Sequence, residues 1–245
     1  MPPPYVRITY ARFEKPMGAY GDDVGWGCAV RSFQMMLANA AWERPLESVV
    51  KWFRNHPEAL FSLHCLAGKP GKWCAPSDVA RKVEAAARVS ASFPSVVALG
   101  NGRRAFDVET DDHVLLVPMR LGRDRIENQY ARRFVELFDF PGCIGCVCGV
   151  RRRSYFGFWN KNKLWGLDPH REARGGQEVV DQPDLELSIA SLDPCVCMGF
   201  RNVPRELLQV LDIHLALVPL SLHFSYTVEM EEKTGEEDED WTILE

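Results

Sequence analysis

Immediately after Cys28, apolar residues recur at Val30, Phe33, Leu37 and Ala40, a helical spacing that predicts three turns starting at the cysteine. The same period predicts helices over Leu46–Phe53 and over Pro76–Val89, the second with proline and a Ser-Asp pair in its first turn. Asp124–Phe138 reads as a further helix and Pro204–Leu211 as a short one. From Cys143 the pattern changes. Cys143–Val150 is a small, apolar run suited to a tightly packed strand. SYFGFW (Ser154–Trp159) and KLWGLD (Lys163–Asp168) are two strands joined through Asn160-Lys161-Asn162, a hairpin signal. Val114–Val117, Cys195–Phe200 and Phe224–Val228 predict more strands. Helices come first and strands later, so the expected class is α+β with a mostly antiparallel sheet.

Composition adds a boundary. The 245 residues are 46% hydrophobic and 26% charged, enough for one large globular domain. The net charge of −5 is unevenly spread: residues 229–245 carry −8, leaving +3 on the remainder. We therefore expect a domain over residues 1–228 and an acidic, disordered tail over 229–245. Basic residues are scattered apart from Arg151-Arg152-Arg153, which reads as a solvated turn, so nucleic-acid binding is not expected. The N-terminus lacks the apolar segment of a secretory signal, and Ile213–Leu222 is too short to span a bilayer. Eight cysteines in such a chain read as reduced thiols of a cytoplasmic protein.

The candidate chemistry starts in DDVGWGCAVRSFQ, Asp22 to Gln34. Cys28 opens the first helix, where unpaired N–H groups and the positive end of the helix dipole favour a thiolate. Gly25 and Gly27 would let a substrate backbone approach, and Trp26 can pack beneath the turn. A buried structural thiol is the alternative. A partner stands at the end of a strand, in Leu167-Asp168-Pro169-His170. Two residues apart, Asp168 and His170 leave on the same face, so the carboxylate can orient the imidazole while its other nitrogen faces a thiol. Alone, this tripeptide reads first as a solvated surface turn, a reading that loses ground beside Cys28. His56 lies at a helix end and His113 opens a strand, while His64, His214 and His223 sit in apolar surroundings as core histidines do. Five thiols, Cys143, Cys146, Cys148, Cys195 and Cys197, could form a zinc site if their strands met, although they lie in continuous apolar runs. We expect no metal and no cofactor.

Five stretches, GWGCAVRSFQMMLANA, LFSLHCLAGKPGKWCAPSDVA, LLVPMRLGRDRIENQY, SYFGFWNKNKLWGLDPH and SLDPCVCMGF, occur in the order found in the autophagin cysteine proteases, which the chain resembles from about Tyr10 to Phe200. The resemblance implies a papain-like fold and an endopeptidase that cuts the ubiquitin-like autophagy modifier after its C-terminal glycine. It further implies release of that modifier from phosphatidylethanolamine, hence transient contact with membranes carrying the conjugate, by a monomer. Cys28 matches the nucleophile, His170 the base, Asp168 its orienting acid and Tyr10 an oxyanion-hole hydroxyl. Trp73 matches the tryptophan closing over the groove for the glycine tail, although Cys74 and Ala75 follow it where an aromatic and a glycine are usual. After five acids, Trp241-Thr242-Ile243-Leu244 resembles the motif that adds a strand to the modifier's sheet edge, with Trp241 and Leu244 filling two pockets. Two alternatives stay open. GWGCAVRS also resembles the sister proteases of the ubiquitin-fold modifier, and a catalytically weak adaptor could bind through the tail alone.

Overall fold

The computed structural model describes residues 4–41, 43–100, 102–109, 111–171 and 176–218. In chain order they form β1 (Tyr5–Ile8), β2 (Arg12–Met17), β3 (Tyr20–Asp22), α1 (Cys28–Ala40), α2 (Leu46–Lys51), α3 (Leu63–Leu66), α4 (Pro76–Ala87), β4 (Ser95–Ala98), β5 (His113–Arg120), α5 (Asn128–Glu136), β6 (Cys143–Val150), β7 (Arg153–Asn160), β8 (Lys163–Leu167), β9 (Gln177–Val180), β10 (Leu185–Leu187), β11 (Cys195–Arg201) and α6 (Arg205–Leu215). The strand expected over Phe224–Val228 and the tail with Trp241 and Leu244 lie outside the described residues.

The main sheet has seven strands in the order β10-β8-β7-β6-β11-β5-β4, all antiparallel except the β4–β5 pair. Its middle strands are buried on both faces, which is why they read as near-continuous apolar runs. One face, including Ile144, Val147, Phe156 and Phe158, packs with α1 and α4. The other, including Cys146, Cys148, Met198 and Phe200, packs with α5 and α6. The class is α+β with a mostly antiparallel sheet, as expected, but helices cover both of its faces.

Hairpin chemistry sets the centre of the sheet. β7 and β8 are joined by Lys161 and Asn162, both with positive φ, a two-residue turn whose twist matches its strands. The β6–β7 turn uses Arg151 and Arg152 in the same left-handed region, and their side chains are exposed as expected. There the Asp193 carboxylate accepts the backbone N–H groups of Arg151 and Arg152.

All thirteen residues of α1 are buried, although its spacing predicts a single apolar stripe. The polar positions are satisfied individually, as burial demands. The Asn39 side chain exchanges bonds with Val6, its Oδ1 accepting at 3.0 Å and its Nδ2 donating at 2.9 Å. Gln34 donates to the Phe61 carbonyl at 2.6 Å, and Ser32 donates to the Cys28 carbonyl at 2.9 Å. Polar residues thus tie α1 to β1 and to the loop before α3.

Several boundaries differ from expectation. The helix expected from Asp124 starts only at Asn128, because Leu121–Glu127 closes as a loop in which the Glu127 N–H donates to the Leu121 carbonyl at 2.8 Å. α6 runs on to Leu215, since Leu211 and Leu215 continue the buried stripe begun at Leu208. α2 ends two residues early at Lys51 and α4 two early at Ala87. Six short strands went unexpected: β1, β2, β3, β4, β9 and β10. β1 pairs with β9, and β2 pairs with β3, outside the main sheet.

Candidate active site

α1 begins at Cys28 because the preceding residues close a turn upon Asp23. The Asp23 main-chain oxygen accepts the N–H groups of Trp26 and Gly27 at 3.2 and 2.9 Å. Its carboxylate accepts the Ala11 N–H at 2.9 Å and two bonds from Arg31, at 2.8 and 3.0 Å. Both side chains of this ion pair are 0% exposed. Gly25 has a φ of +82°, and open space surrounds the place a Cβ would take. Gly27 differs, since its Cβ would stand 2.3 Å from the Asp23 carboxylate. The expectation that both glycines admit substrate is corrected for Gly27, whose bare α-carbon makes room for the buried ion pair. Trp26 packs beneath the turn as expected, edge-on to Phe13 and Tyr20, its Nε1 donating to the Asp22 carbonyl at 3.2 Å.

β8 delivers the second half of the site. Phe156 of β7 pairs with Leu167 of β8, so Ser154 and Tyr155 lie alongside the Asp168-Pro169-His170 turn. One oxygen of Asp168 accepts twice from His170: from its backbone N–H at 2.9 Å and from its Nδ1 at 2.5 Å. The Tyr10 N–H donates to the Pro169 carbonyl at 3.0 Å, which fixes the strand segment after β1 to the same turn. The Tyr10 ring meets the His170 ring edge-on at 5.3 Å between centroids, and Tyr155 flanks the imidazole at 5.5 Å.

The two halves meet at the Cys28 sulfur. It hydrogen-bonds with the His170 side chain, the Ser154 backbone N–H and the Tyr10 hydroxyl. Burial pushes the thiol up, but these donors and the imidazolium charge outweigh it, so the Cys28 pKa lies below its ordinary value. For His170, burial acts downward and is overcome by the Asp168 hydrogen bond and by Cys28, which raise the imidazole to about 9. Asp168 is pushed up by burial yet held below the usual carboxylate range by the two His170 donors. Burial, followed by the charge of Cys28, drives the Tyr10 phenol far up, keeping it a donor. The neighbourhood therefore favours a thiolate–imidazolium pair with an ionised carboxylate behind it, which can attack an acyl carbon and protonate its leaving group.

Sequence reasoning singled out Cys28, Asp168, His170 and Tyr10, and the structure brings these four together. Trp73 lies between α3 and α4 and is 54% exposed. Trp241 and Leu244 lie outside the described residues. Of the other histidines, His56 stands near Glu58, and His64 is half-buried against the Lys15 carbonyl at 2.7 Å rather than within the core. His113 is buried in β5, His214 is half-buried on the Phe140 ring, and His223 lies outside the described residues. Of the cysteine cluster, Cys146 and Cys148 lie side by side facing α5 and α6, whereas Cys197 faces α1. Among the described residues, no group of three or more His, Cys, Asp or Glu side chains is arranged to hold a metal ion. Sequence reasoning missed Ser154, Tyr155, Asp23, Arg31 and Asp184. Only Ser154 and Tyr155 had a signal available, their place in the strand paired with the one that ends at Asp168.

An α+β fold bringing a thiol, an imidazole and a carboxylate into one hydrogen-bonded series is the architecture of a thiol protease. Residues 5–209 match the family model described as the peptidase C54 catalytic domain, and the chain belongs to that family, the autophagin cysteine proteases of papain-like fold. It is 28% identical over 224 residues to a probable cysteine protease atg4 of Schizosaccharomyces pombe, covering 80% of this chain and 69% of that one. It is 30% identical over 196 residues to a probable cysteine protease ATG4 of Meyerozyma guilliermondii, with 72% and 48% covered. With the cysteine protease ATG4A of Mus musculus the identity is 28% over 270 residues, with 79% and 67% covered. The chain thus spans between about half and about two thirds of the length of these relatives. It is a cysteine protease. No helix among the described residues is long and apolar enough to cross a membrane.

Proposed function

We propose that this chain is a cytoplasmic endopeptidase of the autophagy pathway that cleaves the ubiquitin-like autophagy modifier after its C-terminal glycine. It trims the precursor and later frees the modifier from phosphatidylethanolamine at the membranes that carry the conjugate. The observation that carries this reading is the hydrogen-bonded series Cys28–His170–Asp168, with the thiol lowered and the imidazole raised, in a chain of this family.

The steps follow from the geometry. The Cys28 thiolate attacks the glycine carbonyl, and the Tyr10 hydroxyl and the Cys28 N–H, a first-turn donor without a helical acceptor, hold the developing oxyanion. His170 gives its proton to the leaving amine as the C–N bond breaks, leaving a thioester. Now neutral, His170 takes a proton from water, whose hydroxide attacks the thioester; collapse releases the glycine carboxylate and restores the ion pair. Asp168 stays ionised and keeps the imidazole oriented. Peptide and lipid substrates share these steps, because each is an amide of the same glycine carboxyl. Trp73 covers the glycine tail, while Trp241 and Leu244 dock on the modifier's sheet edge and raise its local concentration.

The test is paired cleavage. The precursors of the autophagy modifier and of the ubiquitin-fold modifier are incubated with the wild-type protein and with Cys28→Ala. Trimming of the first precursor alone, lost in Cys28→Ala, supports the reading. Trimming of the second alone transfers the activity to the sister substrate, and wild-type cleavage by Cys28→Ala overturns the nucleophile. If neither precursor is cut and an electrophilic modifier probe leaves Cys28 unlabelled, the chain acts as an adaptor.

A further inference from the structure

Behind the Asp168-Pro169-His170 turn lies a second carboxylate. Asp184 precedes β10, and its side chain is 3% exposed. Its Oδ2 accepts the Asp168 backbone N–H at 2.7 Å, and its own N–H donates to the Gly166 carbonyl at 2.9 Å. Its Oδ1 receives Arg7 of β1, and Arg171 approaches the same oxygen at 3.3 Å. The Arg7 guanidinium also holds Glu178, the residue opposite it on β9, its Nε donating at 2.7 Å. Three residues after Arg7, just past the end of β1, comes Tyr10, whose N–H donates to the Pro169 carbonyl. Arg7 and Asp184 therefore clamp the strand that brings the Tyr10 hydroxyl to the turn that brings the His170 imidazole.

A solvated carboxylate would suffice to end the turn. Burying this one with an arginine costs desolvation, which close geometry and full hydrogen bonding must offset. The outcome is a fixed relation between two groups that both contact the Cys28 sulfur.

We propose that Asp184 is a positioning residue of this protease: bridging the Asp168 N–H and Arg7, it sets the spacing between His170 and Tyr10 around Cys28. The inference rests on the catalytic roles given above for these three residues, and it names the device that holds them in place.

The experiment compares Asp184→Ala with the double variant Arg7→Met/Asp184→Ala. Four quantities are read: the urea midpoint, kcat and KM on the modifier precursor, and the rate of Cys28 alkylation by iodoacetamide at pH 6. The alkylation needs no substrate. The other charged groups around the sulfur, Asp168, Asp23 and Arg31, stay unchanged. Asp184→Ala takes away one of the two carboxylates that neutralise Arg7 and lowers the midpoint, whereas the double variant removes the guanidinium with it, leaves only the half-buried Glu178 to be solvated and regains much of the loss. In both variants kcat falls about 10²-fold with KM within about twofold, as for a misplaced catalytic group. Alkylation slows about tenfold, the equivalent of one unit of thiol pKa.

If kcat and alkylation recover together with the midpoint in the double variant, Asp184 only stabilises the fold and the inference is overturned. Wild-type rates in Asp184→Ala overturn it directly. Should the single variant fail to fold, the double variant decides alone. If no variant and not even the wild type cuts the precursor while alkylation slows as stated, the substrate reading fails and the positioning role stands.

Discussion

The Asp168 carboxylate holds His170 at two points through one oxygen, 2.9 Å from the backbone N–H and 2.5 Å from Nδ1. The Nδ1 bond sets the imidazole's tautomer and its direction, and the backbone bond keeps the carboxylate where Nδ1 can reach it. Asp168→Asn keeps the size of the side chain but can present an amide donor to Nδ1, favouring the wrong tautomer. We expect kcat on the precursor to fall about 10³-fold or more, with KM little changed. Steady-state kinetics check this, and a loss below about tenfold would remove Asp168 from the mechanism.

The pH dependence follows from the same groups. The His170 pKa is raised from its ordinary value of 6.5 to about 9, so the imidazolium persists through neutral pH and is lost as pH rises through about 9. The Cys28 pKa is lowered, so the thiolate survives below the ordinary thiol range. We expect kcat/KM to be bell-shaped with its alkaline limb near pH 9, and iodoacetamide to alkylate Cys28 well below the ordinary thiol range. The linkage carries the same sign. The stability contributed by His170 is full below pH 6.5 and disappears through about 9. An alkaline limb near 7 would mean that the ion pair does not form.

Tyr10→Phe separates the hydroxyl from the ring. The edge-on contact with His170 at 5.3 Å can remain, while the donor to Cys28 is lost. Loss of one oxyanion donor costs about 10²-fold in kcat or more. Because the same hydroxyl lowers the Cys28 pKa, the alkylation midpoint of the variant moves up. A full kcat combined with a shifted midpoint would assign the hydroxyl to the resting thiolate alone.

Much of this site was legible before the fold. Cys28 stands at a helix start, and Asp168 and His170 at a strand end, because local periodicity and a two-residue spacing suffice to put them there. Tyr10 entered only through family resemblance, since β1 just before it reads YVRI and alternates too little to be seen. Asp184 had no signal at all: it meets Asp168 across 16 positions and Arg7 across 177. Arg31, Gln34 and Asn39 lie off the apolar stripe that the spacing of α1 predicts, yet each is buried with partners from other elements, Asp23, the Phe61 carbonyl and the Val6 main chain. Short edge strands such as β4 and β9 failed for a related reason, because four residues carry too little pattern to outweigh their neighbours.

The Arg31–Asp23 pair carries the last prediction. Arg31 uses four of its five guanidinium donors, two on Asp23, one on Gln34 at 3.0 Å and one on Asn55 at 2.7 Å, with both partners of the ion pair fully buried. Arg31→Ala leaves Asp23 without its counter-charge in a site water does not reach, a situation that costs about 3–5 kcal/mol. Arg31→Lys keeps the charge but not the fork, so it forfeits part of the same sum. Because the Asp23 main chain accepts from Trp26 and Gly27, a displaced Asp23 also moves the start of α1 and with it Cys28. We therefore expect urea denaturation to rank wild type above Arg31→Lys above Arg31→Ala, and the thiolate fraction of Cys28 at neutral pH to follow that order. If Arg31→Ala loses less than about 1 kcal/mol, the level of an exposed pair, water has reached Asp23 and the turn does not depend on Arg31. If stability falls while the thiolate fraction holds, the ion pair supports the fold without shaping the nucleophile.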